Sequence, residues 1–392
     1  MIKINKLKLV GIGPIKNLEL EFNDHFNIIC GQNGIGKTTV LDSIAQAFSV
    51  RETNIKRNAN SDEGSIQIEV SIDGESKSKI IPVNVFEPTA IQRQEIGFYQ
   101  HAPEIVVFKT HRDIPYNKLN SLSTDPQKDV YANASQTVTG SLSSELKNWF
   151  VNRHLWSVHE DHLDEGQLRN IQLAKQMFGL LNEGMSFSRV DPRTNDILIN
   201  TPDGEIYFEY LSSGYKSCLA VLMGIIKEIE FRYYSPSIFV GEFKGVVFID
   251  EVDLHLHPEW QAKIYLGLKN ILPNAQVFTS THSPHLIQVA DANEIIPLIK
   301  DEESNTLLNE VINREYGCQG WSVEEILTDV MGMSETRTDV YNNAILDFNS
   351  ALENEDLVSL SNAYEKICNM LHPANPLRKV FEIQMIGVGE HD

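Results

Sequence analysis

The stretch Gly31-Gln32-Asn33-Gly34-Ile35-Gly36-Lys37-Thr38-Thr39 constrains this chain more than any other. It follows the apolar run Phe26-Asn27-Ile28-Ile29-Cys30 and precedes Val40-Leu41-Asp42-Ser43-Ile44-Ala45-Gln46-Ala47-Phe48. The patterning predicts strand, glycine loop, helix, and the loop satisfies G-x-x-x-x-G-K-[ST] at every fixed position in that context. Glycines let successive backbone N–H groups turn inward and approach an anion without a Cβ in the way. A helix starting near Lys37 aims its positive end at the same place. The expected nucleotide-binding residues are therefore Asn33, Gly34, Ile35, Gly36, Lys37, Thr38 and Thr39. Lys37 would reach the β- and γ-phosphates of ATP, and the Thr38 hydroxyl would ligate Mg²⁺. A glycine turn that binds nothing is the bland alternative, and the flanking strand and helix weigh against it.

A phosphate loop that does chemistry needs acids opposite it. Gly245-Val246-Val247-Phe248-Ile249-Asp250-Glu251 is an apolar run ending in two carboxylates. Runs of this kind form central parallel strands. Asp250 is expected in the metal shell, and Glu251 is expected to orient and deprotonate the attacking water.

The rest of the chain reads as an α/β protein with a mixed sheet. Met1 to Phe26 alternates as a hairpin, and Ser65–Ile72 and Lys79–Val83 form a second one around Asp73-Gly74. Glu104–Phe108 reads as a buried strand ending at Lys109-Thr110-His111-Arg112. Residues 113–190 change character, with a polar stretch to about 140 and then apolar residues at helical spacing, which predicts a helical insertion. Ile197–Ile199 and Ile206–Phe208 make a further hairpin, a long apolar helix runs from Ser217 to about Tyr233, and Gln276–Thr281 is another buried strand. The tail from 301 is expected to be mostly helical and to serve assembly or docking, with residues 1–300 as the catalytic domain. Within the tail, Lys379–Ile383 reads as a docking segment or a final core strand.

Charge and cysteines narrow the function. The net charge of −21 rules out adhesion to nucleic acid or anionic membrane through the overall field. Lys3, Lys6, Lys8, Lys16, Lys37, Arg51, Lys56 and Arg57 make the first 57 residues a basic exception, either a binding patch or a solvated face. The four cysteines are scattered without C-x-x-C, which predicts a cytoplasmic protein without a disulfide framework. No apolar run approaches 18 residues, so no membrane span is expected. His154, His159 and His162 stand among acids but match no metal-ligand spacing, and an exposed polar helix or loop is the preferred reading.

Three further motifs carry a family resemblance. Leu211-Ser212-Ser213-Gly214-Tyr215 resembles the LSGGQ signature of ATP-binding-cassette (ABC) ATPases, departing at Ser213 and Tyr215, although it is also an ordinary helix cap. Thr281-His282-Ser283-Pro284 resembles their switch-histidine loop, and Asp253-Leu254-His255-Leu256-His257-Pro258 stands where their D-loop does. The resemblance implies an ABC-type fold in which His282 contacts the γ-phosphate. It also implies that Ser212, Ser213 and Gly214 reach the nucleotide of another protomer. The spelling Asp-Glu-Val-Asp-Leu-His-Leu-His-Pro is similar to the chromosome-maintenance and Rad-fifty-like branch, and most to its overcoming-lysogenization-defect group. The stretch from Lys37 to Leu211 is too short for a long coiled-coil arm. Gly320–Met333 and Glu145–Phe150 resemble the ATPase subunit of the Septu antiphage defence system, which some retron operons share.

The resemblance implies an ATPase that assembles as a homodimer or higher homo-oligomer around ATP and Mg²⁺. It would control a separate HNH nuclease subunit, with DNA or msDNA reached through the assembly. This chain carries no HNH cluster and no Toprim-type Asp-x-Asp after residue 300. The alternatives are a DNA-repair ATPase binding DNA directly and an ATP-stabilised scaffold with incidental turnover. The family's Q-loop glutamine stays open among Gln92, Gln94 and Gln100.

Overall fold

The computed structural model describes residues 1–392 apart from 52–54, 91–96, 113, 160–161, 311–314 and 390–392. The central sheet has six strands in the order β13-β12-β3-β11-β10-β6. These are β3 (Phe26–Gly31), β6 (Ile105–Phe108), β10 (Val246–Ile249), β11 (Gln276–Thr281), β12 (Ile295–Lys300) and β13 (Thr306–Leu308). All neighbours are parallel except β12 and β13. Alternate residues of each strand feed opposite cores. Ile28, Cys30, Val106, Phe108, Val247, Ile249 and Val277 face one, while Ile29, Ile105, Val107, Val246, Phe248 and Phe278 face the other. Burial on both faces is why these strands read as unbroken apolar runs. Cys30 lies so deep that burial pushes its thiol up to about 12, which makes it a core residue.

The second of these cores is covered by an antiparallel sheet of order β2-β1-β4-β5. It comprises β1 (Ile2–Ile12), β2 (Ile15–Glu21), β4 (Ser65–Ile72) and β5 (Glu75–Pro82), with α1 (Lys37–Gln46) beneath. Gln276 stitches this layer to the central sheet. Its side chain accepts from the Ile4 amide at 2.7 Å and donates to the Ile4 carbonyl at 2.8 Å, mimicking a strand neighbour at the bulge after Ile4.

The opposite core belongs to helices. α2 (Val130–Thr139), α3 (Leu146–Trp156) and α4 (Glu165–Leu180) form the insertion and run into the small sheet β7 (Ser186–Val190), β8 (Ile197–Thr201) and β9 (Gly204–Tyr207). α5 (Ser213–Arg232) is buried almost throughout, and α6 (Pro258–Ile271) and α7 (Pro284–Val289) complete the layer. No helix among the described residues is long and apolar enough to cross a membrane.

The chain divides into two compact units, 1–332 and 333–392. Residues 301–332 therefore belong with the first unit. β13 extends its sheet, and α8 (Val323–Glu325) continues into a π-helical turn, Ile326–Val330, whose Ile326 and Val330 are buried. The second unit packs α9 (Asp339–Glu353), α10 (Leu357–Met370) and α11 (Leu377–Gly389) around Tyr341, Ala344, Phe348, Leu360 and Ile367. Lys379–Ile383 is helical within α11 and not a core strand, because Phe381 meets Phe348 edge to face at 5.0 Å from a helix surface.

Candidate nucleotide site

The order of the parallel strands builds the site. β11 lies between β3 and β10, so their C-terminal ends bring the glycine loop, His282 and Asp250-Glu251 to one edge of the sheet. Ligands of open α/β sheets bind at that edge. Gly36 caps α1 at φ 113, a conformation side chains avoid, and a Cβ there would press into Ile15. Asn33, Gly34 and Thr38 are exposed at the mouth of the loop, whereas Lys37 is buried. The Lys37 ammonium donates to the Gly31 and Gln32 carbonyls, both at 2.9 Å, and stands 3.5 Å from His282 Nδ1. Burial draws the Lys37 pKa down, and burial together with Lys37 draws His282 down as well. Two potential cations sharing one site favour an incoming anion.

Thr38 and the acids of β10 meet as the motifs require. Thr38 Oγ1 donates to the two Asp250 carboxylate oxygens at 3.1 and 3.2 Å. A hydroxyl and a carboxylate are the hard oxygen donors that suit Mg²⁺. The residues present therefore fit both a polyphosphate and its metal.

Two residues that sequence reasoning did not single out hold the acids in place. Ser280, on β11, donates to Asp250 Oδ1 at 2.6 Å and accepts the Glu251 amide at 2.7 Å. Arg112 is buried and clasps backbone. It donates to the carbonyls of Lys109 (3.0 Å), Glu251 (3.1 Å) and Asp250, and burial draws its pKa to about 10. Together they hold Glu251 at φ 48, a left-handed conformation unusual for a side chain of its size. Asp253 fixes the switch loop by accepting from Thr281 Oγ1 at 2.6 Å and from the His282 amide at 3.3 Å. Hydroxyl-to-acid contacts between separate strands leave no spacing signal, although Arg112 ended a stretch already marked at the tip of β6.

The signature residues are not brought to the glycine loop of their own chain. Ser212 caps α5, its hydroxyl accepting from the Tyr215 amide at 3.3 Å, and both Ser212 and Ser213 are exposed. Ser213 lines a cavity of about 400 Å³ with Arg112, Lys216 and His255. Thr38 and Asp250 line a different one of about 250 Å³. Of the three glutamines, Gln92 and Gln94 lie outside the described residues and Gln100 is exposed in a 3₁₀ turn.

The chain has relatives of known family. A family model described as "AAA domain, putative AbiEii toxin, Type IV TA system" matches residues 26–288. The "Septu protein PtuA" of Bacillus thuringiensis is 43% identical over 99% of both chains. The chain belongs to the PtuA family. A PtuA of Bacillus mycoides is 25% identical over 86% of this chain and 46% of its own length. The "Retron Vc95 probable ATPase" of Vibrio cholerae is 27% identical over 54% of this chain and 39% of its own. Among solved structures, the SMC head domain from Thermotoga maritima superposes with a TM-score of 0.42 at 15% identity, over 78% of this chain and 98% of that one. The six-stranded sheet with the glycine loop at its edge makes this a P-loop α/β fold with an added antiparallel layer.

Membership in the PtuA family makes sense of the two stretches that carried the closer resemblance. In Glu145–Phe150, Trp149 and Phe150 are fully buried. Lys147 is held between Asp196 and Glu209, each at 2.6 Å, and Trp149 Nε1 donates to Glu230 at 2.8 Å. The Trp149 contact ties the insertion to α5, and the Lys147 pairs tie it to the segments flanking β8 and β9. In Gly320–Met333, the Gly332 carbonyl accepts the Gln32 side-chain amide, so this stretch braces the glycine loop.

Within the basic N-terminal stretch, Lys6 and Lys8 both pair with Glu19, at 2.5 and 3.6 Å, and Lys3 is buried against the Asp24 carbonyl. His154 lies half-buried on α3 against the Phe187 ring, where burial draws its pKa to about 4, and His162 stacks on Trp156. Among the described residues no three histidine, cysteine or acidic side chains converge as metal ligands.

Proposed function

We propose that this chain binds ATP with Mg²⁺ and hydrolyses it in a cytoplasmic homo-oligomer that controls a partner HNH nuclease in antiviral defence. The linkage of Thr38, Asp250, Ser280 and Glu251 carries the hydrolytic part. It joins a metal-binding hydroxyl to an acid, and that acid to a second carboxylate held in a fixed, uncommon conformation. Lys37 and the loop amides would hold the phosphates, His282 would face the terminal one, and Glu251 would take a proton from water. Bound Mg²⁺ supplies charge neutralisation at the phosphates.

Ser212 and Ser213 are exposed, and Ser213 lines a cavity other than the one beside Thr38, which supports a composite site in which the signature comes from a second protomer. The relatives named for Septu and retron systems support the defence role, and partner control of a nuclease rests on that kinship. The net charge of −21, with Lys6 and Lys8 both paired to Glu19, weighs against direct DNA binding as the primary role.

Two variants test the reading. Glu251→Gln retains ATP binding and loses turnover by about 10²–10⁴-fold, the contribution of a positioned base. Ser212→Arg keeps ATP affinity in the isolated protomer and abolishes turnover. A Ser212→Arg protein that still hydrolyses ATP as a monomer refutes the composite site.

A further inference from the structure

Resting on the ATP reading, we propose that Lys109 is a further nucleotide-positioning residue, which exchanges its partner Asp42 for the terminal phosphate and so distinguishes ATP from ADP. The strand register places it. β6 runs parallel to β10 with Phe108 opposite Ile249, and the Asp250 amide donates to the Phe108 carbonyl at 2.9 Å. The next residues along the two strands are Lys109 and Asp250, side by side at the sheet edge.

The Lys109 ammonium is ion-paired with Asp42. Asp42 stands one helical turn beyond Thr38 on α1, on the same face. Thr38, Asp42, Lys109 and Asp250 all line the cavity of about 250 Å³, so the cation opens onto the space beside the metal donors. Lys37 approaches the loop from the side of His282, and Lys109 from the side of β6. The stem is given its path by Gly140, at φ 79, where a Cβ would collide with the Lys109 side chain.

The pair is poised for exchange. Lys109 and Asp42 keep 24% and 33% of their side-chain surface exposed, so an incoming anion can reach the ammonium without opening the core. Asp42 is itself a reluctant anion, its pKa raised by burial with Asp250 adding to the effect. A phosphate at the metal site offers Lys109 a stronger partner. ADP ends short of that position and leaves the Lys109–Asp42 pair intact.

The test uses the full chain and titration calorimetry with a non-hydrolysable ATP analogue and with ADP, each with Mg²⁺. Lys109→Met is expected to weaken the analogue by about 10- to 100-fold, the worth of one charge-assisted hydrogen bond, while ADP shifts by less than about twofold. Asp42→Asn frees Lys109 and keeps the analogue at least as tight as wild type. Where Lys109→Met fails to fold because Asp42 loses its partner, the double variant Asp42→Asn/Lys109→Met restores the fold and shows the same loss of discrimination. Equal weakening of both nucleotides in Lys109→Met overturns the proposal, as does Asp42→Asn behaving like Lys109→Met. Wild-type protein that binds neither nucleotide overturns the ATP reading itself.

Discussion

Replacing Ser280 by alanine removes one hydroxyl, from a fully buried position, that touches neither the loop nor any expected phosphate contact. It takes away two hydrogen bonds: the 2.6 Å donation to Asp250 Oδ1 and the 2.7 Å acceptance from the Glu251 amide. A hydrogen bond to a charged group is worth about 1.5–3 kcal/mol, and an orphaned buried amide costs about 1–3 kcal/mol more. Chemical denaturation should therefore show a stability loss of roughly 2.5–6 kcal/mol. The kinetic effect has a separate origin. Glu251 sits at φ 48, a conformation that costs about 1–3 kcal/mol to maintain. With the Ser280 acceptor gone, the backbone relaxes and Glu251 spends most of its time out of position. An equilibrium shift of that size lowers turnover by about 5- to 150-fold. ATP affinity should stay near wild type, because Lys37 keeps its contacts with Gly31 and Gln32. Phosphate release and nucleotide titration on the same sample separate the two effects. Turnover within about twofold of wild type, with ATP binding intact, would show that Glu251 does not depend on this bracing or is not the base.

Two further outcomes are expected. Gln32→Ala removes the donor to the Gly332 carbonyl, so hydrogen exchange in 323–332 should accelerate while exchange in α5 stays unchanged; identical protection in both proteins would refute the brace. His154 has an ordinary pKa of 6.5 that burial lowers to about 4 in the folded chain. The unfolded chain thus binds the extra proton first, and stability present above pH 6.5 is lost as pH falls toward 4. His154→Gln should flatten that part of the unfolding profile, and an unchanged slope would assign it to other groups.

What was legible in the sequence followed from periodicity and local motif chemistry. β3, β10 and β11 are apolar on both faces, so they stood out as runs, and the glycine loop announced its own geometry. β12 carries Pro297, which argues against a strand in a local reading, yet it pairs with β3 in parallel and with β13 across. The π-helical turn at Ile326–Val330 fits neither common period exclusively, so its grouping with the helical tail missed that it packs with the first unit.

The residues that finish the site were hidden for a different reason. Ser280 and Arg112 act on the acids through hydrogen bonds between neighbouring strands, and no fixed sequence spacing encodes which strands are neighbours. The place beside Asp250 is hidden on the same ground: it is set by the register of β6 against β10 and is held by Lys109. A lysine there carries a positive charge. It can answer a phosphate charge directly, and it needs Asp42 as a counter-ion while the loop is empty. Without Asp42 a half-buried cation beside Asp250 would stand uncompensated, so the Lys109–Asp42 pair is what keeps that ammonium at the sheet edge.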